Sequence, residues 1–98
     1  MKDLPVHIGV LSIELLIPQS QSLKSKRRVL KSLKDRIRAG FNVSVAEIDG
    51  HDKWQRARLG VCMINNDKDL IQKVFQGILD LAGSVHEAEV ADQTIEFV

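Results

Sequence analysis

The 98 residues fit one small domain: an apolar share of 44% is enough for a single modest core, and there is too little chain for a second. The longest uncharged run, Leu4 to Ile13, is too short to cross a bilayer, no apolar block ends in a small-residue cleavage site, and a lone Cys62 rules out an intrachain disulfide or a thiolate metal cage. The expectation is a cytoplasmic domain held by packing, without membrane association, whose formal charge of +1 conceals eight cations between Lys24 and Arg38 against one Asp35.

From Val6 to Ile17 the chain alternates, with Leu11, Ile13, Leu15 and Ile17 on the side expected to meet helices and Ile8, Val10, Ser12, Glu14 and Leu16 on the other. Pro18 closes this strand, and Ser20 to Ser22 offers hydroxyls to cap a helix beginning near Leu23. On a helical wheel Leu23, Val29, Leu30, Leu33 and Ile37 share one arc. Lys24, Arg27, Arg28, Lys31, Lys34 and Arg38 fill the opposite half, and Gly40 is placed to end the helix in the left-handed conformation.

Val43 and Val45 alternate with Ser44 and Ala46, then Asp49-Gly50-His51-Asp52 supplies a turn and Arg56 to Ile64 a second alternating arm, which together read as a β-hairpin. In that arm Leu59, Val61 and Met63 point to the core and Arg58, Gly60, Cys62 and Ile64 away from it. Asn66 is expected to cap the second helix, with Asp67 and Asp69 at the positive end of its dipole. Leu70, Ile71, Val74, Phe75, Ile78, Leu81 and Ala82 form its buried half, and Gly83 ends it. Ile95 and Phe97 alternate with Thr94, Glu96 and Val98 in a last strand, and the segment from Val85 carries Glu87, Glu89, Asp92 and Glu96 without a Lys or Arg, an acidic edge. The order β, α, β, β, α, β predicts an α+β, two-layer ferredoxin-like βαββαβ sandwich over residues 1–98, with an antiparallel sheet, both helices on one face and the other face uncovered.

The basic helix is the feature best able to carry function, since closely spaced cations can replace counterions along a phosphate backbone. The competing reading is a solvated face neutralised by the chain's own carboxylates. Lys26 falls among Leu30, Leu33 and Ile37 on the wheel, so its ammonium must leave past the sheet edge, pair with Glu14 or Glu47, or meet a ligand. Arg56 and Arg58 share the uncovered face with Glu14 and Ser12, as cross-strand ion pairs or as an anion-binding patch. Trp54 either stacks a base or anchors a partner, or it covers an end of the core. Cys62 reads as a core or interface thiol. Asp49, His51 and Asp52 lack a second ligand cluster, His7 and His86 are isolated, and no Ser, Cys or Thr has a visible base partner, so neither a metal, a cofactor nor a catalytic site is expected. The two strands that carry base-stacking aromatics in RNA-recognition motifs contain none here.

Three blocks, Ser22-Leu23-Lys24 continuing to Lys26-Arg27-Arg28-Val29-Leu30, then Phe41-Asn42-Val43-Ser44-Val45-Ala46-Glu47, then Trp54-Gln55-Arg56-Ala57, resemble the signature of the YlxP-like family of small bacterial proteins, a domain of unknown function. The resemblance runs from about Ile8 to Leu81 and on to the end of the sequence. It implies a ferredoxin-like fold and no assigned activity. Because members are often encoded beside translation-initiation and ribosome-maturation genes, it also implies a link to RNA or the ribosome.

Two functions follow as expectations. One is a non-catalytic module binding RNA or a ribosomal surface through Lys24, Arg27, Arg28, Lys31, Lys34 and Arg38, with Trp54 and Arg56 in support. The other is a homo-oligomer that packs the uncovered sheet face, with Ile8, Val10, Ala46, Cys62 and Ile64, against another copy.

Overall fold

The computed structural model describes residues 4–98. Its elements run β1 (His7–Leu16), α1 (Leu23–Gly40), β2 (Ser44–Asp49), β3 (Arg56–Asn65), α2 (Lys68–Gly83) and β4 (Glu89–Phe97). The strands form one antiparallel sheet in the order β2-β3-β1-β4. Each helix therefore bridges two strands with a third between them, which is the expected ferredoxin-like arrangement.

The alternation in β1 and β3 sets which face is buried. Leu11, Ile13, Leu15 and Ile17 are buried with Ala57, Leu59, Val61 and Met63, and the helices lie over them. Each such Leu, Ile or Met withdrawn from water contributes about 1.5–3 kcal/mol against the entropy of ordering the chain. From α1 come Leu30, Leu33 and Ile37, and from α2 come Ile71, Phe75, Ile78, Leu79 and Ala82. Two details depart from the wheel: Leu70 is exposed and Leu79 is buried. Leu70 lies on the flank of α2 shared with half-buried Val74 and Leu81, whereas Leu79 lies on the other side of the buried stripe, next to Phe75 and Ala82. At Gly9 the backbone of β1 approaches α2 closely, since a Cβ there would lie 2.7 Å from Ile71 Cγ2 and 2.9 Å from Phe75 Cε2.

Helix ends are built locally. Ser22 is the N-cap of α1, its hydroxyl accepting from Ser25 N–H at 3.0 Å. Gly40 does not end α1 as a left-handed residue. It remains helical, Phe41 N–H donates to the Ile37 carbonyl at 2.9 Å, and the chain leaves in an extended conformation at Phe41. The one positive φ among the described residues belongs to Gly50, at 82°, in the β2–β3 turn. The N-cap of α2 is Asp67 rather than Asn66: its carboxylate accepts from Asp69 N–H and Leu70 N–H at 3.0 and 3.2 Å.

The final strand is longer than its Ile95 and Phe97 signal suggests. It pairs along β1 from Glu89 to Phe97, with an irregularity between Glu14 and Leu15. β4 is an edge strand bearing exposed Glu89, Asp92 and Glu96, so the expected acidic edge is present.

Candidate nucleic-acid interface

The apolar stripe of α1 faces the sheet, which turns its cationic half outward and toward β2. Lys24, Arg27, Arg28, Lys31 and Arg38 are exposed and Lys34 is half-buried. Between the helix and β2 lies a shallow groove of about 420 Å³ lined by Arg27, Lys31, Lys34 and Arg38, with Asp35 and Glu47 the acidic members. Over the 14 steps from Lys24 to Arg38 these groups span about 21 Å along the helix axis at the usual rise per residue.

Neutralisation of this face is local and partial. Lys31 donates to Asp35 at 2.7 Å while its side chain stays 76% exposed, and Arg38 Nη1 stands 3.7 Å from the same carboxylate. The hydrogen bond from Lys31 holds the Asp35 carboxyl below its usual range, with the charges of Lys31, Arg38 and Lys34 adding to the effect. Arg38 also donates through Nη2 to the Val45 carbonyl at 3.0 Å. Lys24, Arg27, Arg28 and Lys34 form no ion pair among the described residues, nor does Arg36, which lies off the groove and was not singled out from sequence.

Lys26 is the exception. Its side chain is 0% exposed, and its ammonium donates to Glu47 at 3.0 Å, the Gly50 carbonyl at 2.7 Å and the Arg56 carbonyl at 3.4 Å. Of the candidate partners, Glu47 is the one used, not Glu14. All three ammonium protons have acceptors, so Lys26 fastens the first turns of α1 to the base of the β2–β3 turn and has none to offer a ligand.

Trp54 and Arg56 stand apart from the α1 groove. They line a separate concavity of about 460 Å³ with Leu16, Lys53 and Gln55. Trp54 is 53% exposed, so it does not cover the end of the core. Lys53 is a cation of this surface that sequence reasoning passed over, although it adjoins Trp54. Gln55 holds the segment in place by donating to the Pro18 and Ser20 carbonyls at 3.2 and 3.1 Å.

On the uncovered sheet face Arg56 donates to Glu14, and Arg58 donates to Glu14 at 2.6 Å and to Ser12 at 2.7 Å. The cross-strand pairing reading describes this cluster. The bond from Arg56 is the main reason that the Glu14 carboxyl sits below its usual range and the Arg56 guanidinium above its own. Cys62 is exposed on the same face, so the core alternative for its thiol falls. Asp49, His51 and Asp52 join no group of three or more potential ligands among the described residues. No helix there is long and apolar enough to cross a membrane.

Comparison with known proteins bears on lineage and fold. The family described as "Protein of unknown function (DUF503)" matches residues 8–95. The uncharacterized protein YlxP of Bacillus subtilis (strain 168) is 37% identical over 82 residues, covering 84% of this chain and 89% of that protein. Among solved structures, a C-terminal segment of the alpha subunit of aIF2 from Pyrococcus abyssi superposes with a TM-score of 0.55 at 17% identity, over 95% of this chain and 51% of that one. A de novo designed protein with ferredoxin fold gives 0.51 at 9% identity, over 94% and 82%. At these identities the two structural likenesses concern the fold alone.

Proposed function

The chain belongs to the DUF503 family of unknown function, and, membership supplying no activity, we propose from its surface that it is a non-catalytic module binding RNA through the cationic flank of α1. The observation that carries this reading is that exposed Lys24, Arg27 and Arg28 and half-buried Lys34 lie on one flank of α1 without a carboxylate partner among the described residues. Lys31 shares Asp35 with Arg38 but keeps most of its surface in water, so it adds a fifth available cation.

Such a row favours a phosphate backbone over a single small anion, because its charges are spread along the helix instead of converging on one point. Base identity is not read by this row: Lys and Arg on phosphates position a strand and carry no sequence information. The module is therefore a backbone binder, with any sequence preference left to groups outside α1.

A fluorescent single-stranded RNA titrated over a salt series tests the proposal. Four to five displaced counterions give a slope of about −3 to −3.5 in the logarithm of affinity against that of salt. The pair Arg28→Glu with Lys31→Glu flattens the slope by about 1.5, whereas Lys73→Glu on α2 leaves it within error. An affinity indifferent to salt, or one that survives the double reversal, removes the proposal.

A further inference from the structure

The face of the sheet turned away from the helices has a charge and apolar pattern that can be read directly from the strand register. At one end Ile8 stands beside Ile64 and Val10 beside Cys62 on the two central strands, with Ile48 of β2 close to Gly60. Ile48, Cys62 and Ile64 are exposed, and Val10 lies at the edge of exposure. At the other end Arg58 stands beside Glu14 and Arg56 beside Leu16. The cations of the central strands are thus all on β3 and their anion is on β1. The midline of the four-stranded sheet runs between those two strands.

From this pattern we propose that the uncovered face binds a second copy of the same chain, with a two-fold axis parallel to the strands and lying over the β3–β1 midline. That operation exchanges β3 with β1 while keeping the apolar end over the apolar end. Val10 then meets Cys62 of the second copy, Ile8 meets its Ile64, and Arg58 and Glu14 meet its Glu14 and Arg58. Opposite charges face each other twice. A two-fold axis across the strands would instead lay the apolar end on the charged end, which desolvates Arg58 and Glu14 against aliphatic groups. One kind of like-signed contact remains, Asp49 over Asp92 of the second copy, and the two-fold axis repeats it. It falls at the outer rim, where Arg56 Nη2 is already 3.9 Å from Asp49.

Two further considerations support a second copy as the occupant. A ten-residue β1 in a four-stranded sheet offers a face of about 500–600 Å² at usual strand dimensions, so a pair of them reaches about 1,000–1,200 Å², the lower range of specific interfaces. The strands of the two copies stay nearly aligned under this operation, as they do in aligned sheet-on-sheet packing. The α1 groove lies in the helical layer of each copy, so it remains open in the dimer, and the inference is independent of RNA binding.

Sedimentation equilibrium of the full chain, from low to several hundred micromolar, is the test. The expected result is a mass approaching twice 11.0 kDa. Val10→Asp with Ile64→Asp raises the dimer dissociation constant at least about a hundredfold, as expected when two carboxylates are placed in the apolar contact between the central strands. Both side chains are on the surface, and an unchanged far-ultraviolet circular dichroism spectrum and melting temperature show that the variant is folded. Isotope-filtered nuclear Overhauser contacts in a mixed-label sample supply a second readout: intermolecular contacts of Val10 with Cys62 and of Ile8 with Ile64 are expected. A wild-type chain that stays monomeric at the highest concentration overturns the proposal and leaves the face to a foreign protein. A dimer that persists in the double variant, or contacts joining other surfaces, overturns it equally.

Discussion

Replacing Lys26 by Met keeps most of the stem's volume and deletes the ammonium, which leaves Glu47, the Gly50 carbonyl and the Arg56 carbonyl without their shared donor. The Glu47 side chain is only 13% exposed, so water restores little of what its carboxylate loses. Removing one member of a buried pair costs about 3–5 kcal/mol, a large share of the roughly 5–15 kcal/mol that holds a domain together. At about 4–8 °C per kcal/mol for a domain of this size, the melting temperature falls by tens of degrees. Glu47→Gln is milder, at about 1–2 kcal/mol, because Lys26 retains both carbonyls and the amide can still accept. Urea denaturation of the wild type, both single variants and the double variant measures the coupling, and the double variant is expected to lose scarcely more than Lys26→Met alone. A loss below about 1 kcal/mol for Lys26→Met, or strict additivity of the two changes, would refute the account of Lys26 as the fastening between α1 and the hairpin.

Two glycines, Gly40 at the end of α1 and Gly50 just after β2, should respond with opposite sign, because only Gly50 has a positive φ. Gly50→Ala forces a Cβ onto a positive φ and to 3.1 Å from the Arg56 carbonyl, and is expected to cost at least about 1–2 kcal/mol; Gly40→Ala meets nothing within 4 Å in a helical conformation and should stabilise by up to about 1 kcal/mol. Equal denaturation midpoints for the two variants would contradict this. Gly9→Ala overpacks the contact with Ile71 and Phe75 and should cost about 1–3 kcal/mol, read as a lowered melting temperature. Glu14, held below the ordinary glutamate range by Arg56 and Arg58, contributes stability that is complete above about pH 4.3 and disappears as pH falls through its lower folded value. In urea midpoints followed from about pH 6 to about pH 3, Glu14→Gln should flatten the acid limb, and an unaltered limb would remove Glu14 from the explanation.

Why some of this was legible from residues alone, and some not, follows from the range of the interactions. The strands of the sheet core declare themselves by alternation, because the side-chain period of two depends on nothing beyond the strand. Leu11, Ile13, Leu15 and Ile17 of one strand and Leu59, Val61 and Met63 of the other accordingly lie on the buried side as read. Lys26 was visible as an anomaly on the wheel, yet its choice of Glu47 over Glu14 depends on how β2 lies under α1, 21 residues away in sequence. Residues alone do not separate Asn66 from Asp67 as the N-cap of α2, because the two have similar capping chemistry. The geometry favours Asp67, while Asn65 accepts from the Asp67 N–H at 2.9 Å and fixes its approach. Whether the cations of α1 would be free was not readable at all, since the chain has nearly as many carboxylates as cations. Their distribution decides it: β4 carries Glu89, Asp92 and Glu96 on the edge of the sheet opposite to β2, far from the helix flank that they would neutralise.

The bond from Arg38 to the Val45 carbonyl has a consequence for assembly. β2 terminates the sheet, and a terminal strand with free backbone groups invites polymerisation by addition of another chain's strand. With a guanidinium fixed on that carbonyl, an incoming strand would have to evict a charged donor before its first ladder bond could form. At the opposite margin the carboxylates of β4 repel a like edge. Growth into fibrils is thereby obstructed at both rims by different chemistry, and a chain lacking Arg38 should reveal this as aggregation before it reveals any loss of stability.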